Sequence, residues 1–368
     1  KTTRILALEL AKGFAIIFMI FVHVNEICWE NLVFNNSFET FIHNLIEFLG
    51  GGPSAPVFMV CMGVGYAYSK KAQSKFLLKR AEILALLAVF VNFVQQWIPI
   101  LFRDNMAEGF AEFAPAIIAT DIYSFAAVSM LFFAIIMKFD EKLRIKACII
   151  SIFVFAIAKA LLSPVIHATG NAWVDVIIGI FFRVNEFSYF PFFTWVNFPL
   201  IGFIVGSWYK ESKNKKKFQA FLFIIGVIML IASGLYMENT GMSNSIKFAA
   251  TDVIDAYYSM SIPNILFALG VVICSFILCD LISKINCIGR IKQFLCYMSK
   301  HIMEIYVAQW TFIGLATYVL DRVTSVYCSM LCSLGIMLLS IAAVAYYDKI
   351  KEKHNTKKLE DNKAIKAE

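Results

Sequence analysis

The sequence predicts an all-α integral membrane protein, a bundle of about ten transmembrane helices. Sixty per cent of its residues are hydrophobic and only 16 % are charged, with a mean hydropathy of +0.72. A soluble domain cannot hide that much apolar surface. The apolar residues come in runs long enough to cross a bilayer. The charged connections between those runs alternate, with Lys and Arg collected on one set of them.

Ten segments follow from the hydropathy pattern, at about 5–27, 48–69, 82–102, 115–137, 147–166, 190–209, 218–236, 261–282, 294–319 and 328–347. No small-residue cleavage signature follows the first, which reads as a retained span rather than a signal peptide. Of the 33 Lys and Arg, only Arg103, Arg183, Lys247 and Arg322 lie in the opposite set of connections, and Lys12, Lys159 and Lys300 lie inside apolar segments. That asymmetry places both termini in the cytoplasm and the protein in the cell membrane. It also accounts for a pI near 8.8, so no nucleic-acid partner is expected. The outer connections 28–47, 167–189 and 237–260 are long enough to cap the outer mouth. Within the second, 174–182 is apolar but too short to span, and reads as an interfacial or re-entrant helix. Gly50-Gly51-Gly52-Pro53 lacks the Lys-Ser/Thr of a phosphate loop and reads as a flexible approach to span two. Gly63 and Gly65 in that span permit close helix contact. Residues 1–350 form one polytopic domain, and 351–368 a charged cytoplasmic tail, surface helix or disordered. The nine cysteines have no metal-like spacing and read as small packing residues, with a Cys28–Cys328 disulfide left open.

The chemistry concentrates in span one. Lys12 and His23 are eleven residues apart, about three turns plus 20°, so they share one helix face about 16 Å apart. Glu9 lies on that face too. Ionisable residues inside a span are costly and default to function. The face reads as a polar track from an inner cation to an outer imidazole. Neutral His23 suits general-base work, and Glu26, three residues on, is the expected orienting partner. At similar outer depth the topology places Asp121, Trp195 and Asn197. Asp121 reads first as a buried partner for a cation. Lys300, His301, Glu304 and Gln309 rise along span nine, where Lys300 and Glu304 are spaced to neutralise each other. Lys159 is assigned no role. Lys79 and Arg80, at the start of span three, are placed to meet the phosphates of a donor arriving from the cytoplasm.

These residues resemble a known pattern. Glu9-Leu-Ala-Lys12-Gly13 leading to His23 is similar to the Arg or Lys, ten residues, His hallmark of the acyltransferase-3 family; residues 13–22 are the ten. Residues 55–65 followed by Lys79-Arg80 look like the next segment of that superfamily. Pro191-Phe-Phe-Thr-Trp195, continuing to Gly202 and Gly206, resembles a span of bacterial relatives of heparan-glucosaminide N-acetyltransferase. Ser299-Lys-His-Ile-Met-Glu-Ile-Tyr306 resembles a late segment of both groups. Glu9 replaces the usual Asp, Lys12 the commoner Arg, and Gln309 stands where many relatives carry a second His. The resemblance implies a cytoplasmic acyl-CoA donor and an outer acceptor, often a sugar hydroxyl or amine. It assigns catalysis to His23 and support to Lys12.

The sequence therefore predicts a membrane-bound O- or N-acyltransferase. It moves an acyl group, in the first instance acetyl from acetyl-CoA, to a glycan or other small polar acceptor, with no metal. His23, Lys12 and Glu26 carry catalysis; Lys12, Lys79 and Arg80 bind the donor; Asp121, Trp195, Asn197 and Glu304 meet the acceptor. Partners are the bilayer, the acyl-CoA and the acceptor, with a second copy of the chain left open. The rival readings are a proton- or substrate-coupled transporter, in which Lys12, His23, Asp121 and Glu304 form the path, and a membrane sensing domain. Against the transporter, no inverted repeat or matched broken helices are visible.

Overall fold

The computed structural model describes residues 5–69, 73–102, 113–242 and 257–365, with Met106 and Gly109, and every regular element among them is helical. Lys1, Arg4, Lys70, Lys71, Arg103 and Lys247 of the charge pattern, and the middle of the 237–260 connection, lie outside the described residues. Among those described, nine helical stretches are long and apolar enough to cross a membrane. The chain is a multi-pass membrane protein.

The helix α1 (Leu6–Cys28) stands at the centre of the bundle. It packs against α2 (Ser37–Gly51), α3 (Ser54–Tyr68), α10 (Ile262–Ser283), α11 (Gly289–Lys300), α12 (Ile302–Leu320) and α13 (Val326–Ile365). Leu10, Ile16, Ile20 and Val24 are completely buried there. Its N-terminal half lies so close to α11 that a Cβ at Gly13 would collide with the Leu295 backbone carbonyl.

Residues 28–47 are not all connection. Asn36 accepts hydrogen bonds from the backbone N–H groups of Phe38 and Glu39 at 3.0 Å each, and this cap starts α2 at Ser37, eleven residues before its counterpart segment in the hydropathy pattern. The glycines at 50–52 mark the joint between α2 and α3 rather than a loop. Where α3 meets α8 (Asn197–Glu211), a Cβ at Gly63 would strike the Pro199 carbonyl, and one at Gly202 the Val60 carbonyl. Gly65, expected to share this role, faces open space.

The fourth predicted span is shorter than expected. Its helix, α5 (Ile122–Ile136), has 15 residues, about 22 Å of rise against a hydrocarbon core near 30 Å. Asn92, the last residue of α4 (Ser74–Asn92), donates to the carbonyls of Ile117 and Ala119 just ahead of α5. Since α4 and α5 also pack along each other, α5 runs back beside α4 and returns the chain to the side from which α6 (Glu141–Leu162) leaves. The short helix foreseen at 174–182 is α7 (Ala172–Gly179), capped by Asn171. Asp175 in it accepts from the Thr169 N–H and hydroxyl at 2.6 and 2.7 Å, and these donors hold its carboxyl below the usual carboxylate range.

The helix α9 (Lys215–Thr240) pairs with α10. It ends at Gly241, whose φ of 67° closes the helix in the left-handed region. Span nine, expected to be continuous, breaks at His301 between α11 and α12. The buried His301 imidazole lies 3.3 Å from Asp348 of α13, fixing that joint to the last helix. Lys300 and Glu304 are both exposed, and no ion pair joins them among the described residues. Lys159 donates to the backbone carbonyls of Ser259 and Met260. All nine cysteines are free.

The glycine contacts yield a paired test. Gly202→Val should force α3 and α8 apart and lower stability by about 1–3 kcal/mol, read as reduced monodisperse yield and a lower Tm in detergent. Gly65→Ala should leave both unchanged.

Candidate active site

The half of the bundle around the C-terminal part of α1 holds a cavity of about 290 Å³. On α1, Met19, His23 and Glu26 recur at i, i+4 and i+7 and so present one face to it. On α12, Tyr306, Trp310, Ile313 and Thr317 do the same. A π-helical turn, Phe93–Trp97, extends α4 and brings two consecutive glutamines, Gln95 and Gln96, to the wall. Gly314 makes room for that turn: a Cβ there would sit 2.6 Å from the Val94 carbonyl oxygen. Asp121, Tyr189, Phe190 and Tyr258 complete the lining.

His23 is held from two sides. Its Nδ1 lies 3.1 Å from the amide Nε2 of Gln309, which is completely buried. Its ring packs on Trp310, with centroids 4.5 Å apart, and meets Tyr306 edge-on at 6.2 Å. The other nitrogen, Nε2, makes no hydrogen bond among the described residues and is left to the cavity. Glu26, expected to orient His23, shares the cavity with it but does not bond to it. The orienting contact comes from Gln309.

Asp121 pairs with no cation among the described residues. It caps α5 by accepting from the Ser124 N–H at 2.7 Å, and its Oδ2 is buried without a protein partner at the cavity wall. Trp195 stands one layer behind the lining. Its indole N–H donates to the Tyr258 carbonyl at 3.0 Å, and its ring packs against Phe190 at 4.8 Å, so it supports two lining residues rather than meeting the contents. Asn197 donates to the Thr194 carbonyl at 2.9 Å within its own turn and lies outside the cavity. So does Glu304, which is exposed in the first turn of α12.

Near the N-terminal end of α1, Lys12 Nζ lies 3.1 Å from Glu9 Oε1, and Glu9 Oε2 accepts from the Ser299 hydroxyl at 2.6 Å. Between this group and His23 the shared face carries Ile16 and Met19, both buried. The expected polar track is therefore two polar stations separated by an apolar plug. Lys79 and Arg80 are exposed on α4. They line neither the polar cavity nor a second, apolar one of about 130 Å³ between α1, α3, α8, α9 and α10.

A buried polar network behind the cavity escaped the sequence reading. Asn25, completely buried, places its amide nitrogen 2.8 Å from His43 Nδ1 and 2.5 Å from Glu47 Oε1. His43 stacks on Trp29 with centroids 4.5 Å apart. The signal was present: Asn36 followed by Glu39 marks a helix start, and Glu39, His43 and Glu47 then recur every four residues.

A family model described as an acyltransferase domain, acyltransferase-3, matches residues 5–347. The chain belongs to the acyltransferase-3 family. Neither the curated proteins nor the solved structures gave a match. Family membership makes this a membrane acyltransferase and sets the transporter and sensor readings aside. In this acyltransferase the Lys12–His23 spacing falls on α1, the helix against which α2, α3, α10, α11, α12 and α13 pack.

The Asn25 network should be structural. Asn25→Leu leaves Glu47 and His43 without their shared donor, and should cost about 2 kcal/mol. A lowered Tm in detergent checks it. Ser329→Ala, which removes a 3.4 Å contact to Asn25, should be nearly silent.

Proposed function

We propose that this acyltransferase moves an acyl group, acetyl in the first instance, from cytoplasmic acyl-CoA to a hydroxyl or amine of a glycan or other small polar acceptor bound in the outer cavity. The observation that carries the reading is His23, with Nε2 free and Nδ1 held, on the wall of a polar cavity inside a membrane bundle. Amides, two carboxyl groups and tyrosine hydroxyls converge there with the Trp310 ring, a lining suited to a hydroxyl-bearing ring of sugar size. The Lys and Arg distribution supports this direction of transfer, with both termini on the cytoplasmic side.

The step balances without a metal. His23 Nε2 accepts the proton of the acceptor O–H or N–H as that atom attacks the thioester carbon. The C–S bond breaks, and the imidazolium returns the proton to the thiolate, giving acylated acceptor and CoA thiol. Gln95 and Tyr306 supply hydrogen-bond donors on the same wall for the charge that develops on the carbonyl oxygen. Lys12, paired with Glu9, marks the inner mouth. The donor's arm then has to pass Met19, an unbranched side chain that yields readily.

Two outcomes test this. Purified protein should bind acetyl-CoA and slowly release free CoA, with His23→Ala retaining binding and losing at least about 10³-fold in release; turnover by the variant would contradict the assignment. Met19→Trp should reduce kcat/KM for acetyl-CoA by about tenfold or more while leaving the fold intact by Tm. Unchanged donor kinetics would move the route elsewhere.

A further inference from the structure

The 3.1 Å contact between His23 and Gln309 fixes two side chains but not a proton. Placed with Nε2 of the amide on Nδ1 of the ring, Gln309 donates. Nδ1 must then be the lone-pair nitrogen, and the single proton of the neutral imidazole sits on Nε2, facing the cavity. A ring in that form has nothing to accept a proton with where the acceptor would lie. The same placement leaves the Gln309 carbonyl oxygen buried with no partner. Oxygen and nitrogen of an amide exchange places by a half-turn about the last side-chain bond without moving any neighbour.

We infer that Gln309 is the positioning residue of the reaction: its carbonyl oxygen accepts from His23 Nδ1–H and so keeps the Nε2 lone pair directed into the cavity. This rests on the general-base reading of His23. The role matches that of the carboxylate in a Ser-His-Asp arrangement, which sets the tautomer and orientation of the imidazole, but it is filled by a neutral group. An amide orients the ring without adding negative charge behind it. Neither Glu26 nor Asp121 bonds to His23, and no other charged group does among the described residues. The Trp310 and Tyr306 rings cover the imidazole faces and edge, so the amide is the one polar contact that decides which nitrogen carries the proton. Gln309 is fully buried on α12, where a side chain one methylene shorter would not reach.

The most direct test is nitrogen-15 NMR of full-length protein in nanodiscs, labelled at its five histidines, with the His23 signals assigned by their loss in His23→Ala. The expected spectrum near neutral pH has the proton on Nδ1; a ring protonated on Nε2 would overturn the proposal. Kinetics with acetyl-CoA give a second readout. Gln309→Leu should lower kcat by about 10²-fold or more with little change in donor KM. Gln309→Glu should retain activity but move the acid limb of the rate profile to higher pH by about one unit, because a carboxylate now stabilises the imidazolium. An unshifted profile in a Gln309→Glu protein of normal Tm would count against positioning, as would a wild-type kcat in Gln309→Leu. His23→Ala separates the two levels: if it still turns over, the base itself is wrong, whereas an inactive His23→Ala beside fully active Gln309 variants removes only the positioning role.

Discussion

Everything in this bundle depends on a central helix that carries polar groups along its length. Buried in a membrane, each of those groups must find its partner inside the protein. On α1 they do so in three tiers, each recruiting a different neighbour. Glu9 takes Lys12 on its own helix and the Ser299 hydroxyl from α11. His23 takes Gln309 from α12. Asn25 takes His43 and Glu47 from α2 and Ser329 from α13. Lipid offers no hydrophobic drive between helices, so these tiers, with the glycine contacts at Gly13 and Gly50, set which helices surround α1.

The site follows from that arrangement. Because His23 and Glu26 stay on one face while Asn25 turns toward α2, α1 divides the cavity from the network behind it. The π-helical turn at Phe93–Trp97 and the absent side chain at Gly314 bring α4 against α12 and carry the two glutamines with them. Acid–base chemistry needs a ring with one nitrogen held and one free, and the packing of Trp310 and Gln309 produces that condition without a charged partner.

The sequence made His23 and Lys12 visible because helical periodicity alone puts them on one face and composition alone makes them expensive. It made the segments visible for the same reason. Other features depend on what lies between or across helices. Ile16 and Met19 interrupt the face between the two stations, and their apolar character is ordinary in a span, so the gap could not be told from continuity. Asp121 reads as an intramembrane carboxylate until the start of α5 shows it to be a cap. Trp195 and Asn197 share the depth of the site but not its surface, since depth follows from topology and facing does not. Gln309 reads as a departure from a histidine pattern, and only a contact spanning 286 positions gives it a purpose. The α2 network was legible in the cap and in its four-residue spacing, but hydropathy assigned those residues to a connection.

One structure would test the central claim most directly: the protein in nanodiscs, determined by electron cryomicroscopy with a non-hydrolysable thioether analogue of acetyl-CoA bound. The prediction is a donor entering past Lys12 with its acyl carbon within about 4 Å of where an acceptor held by His23 Nε2 would attack, and Met19 displaced. A donor seated with its acyl end in the apolar cavity beside α9 and α10, away from His23, would contradict it.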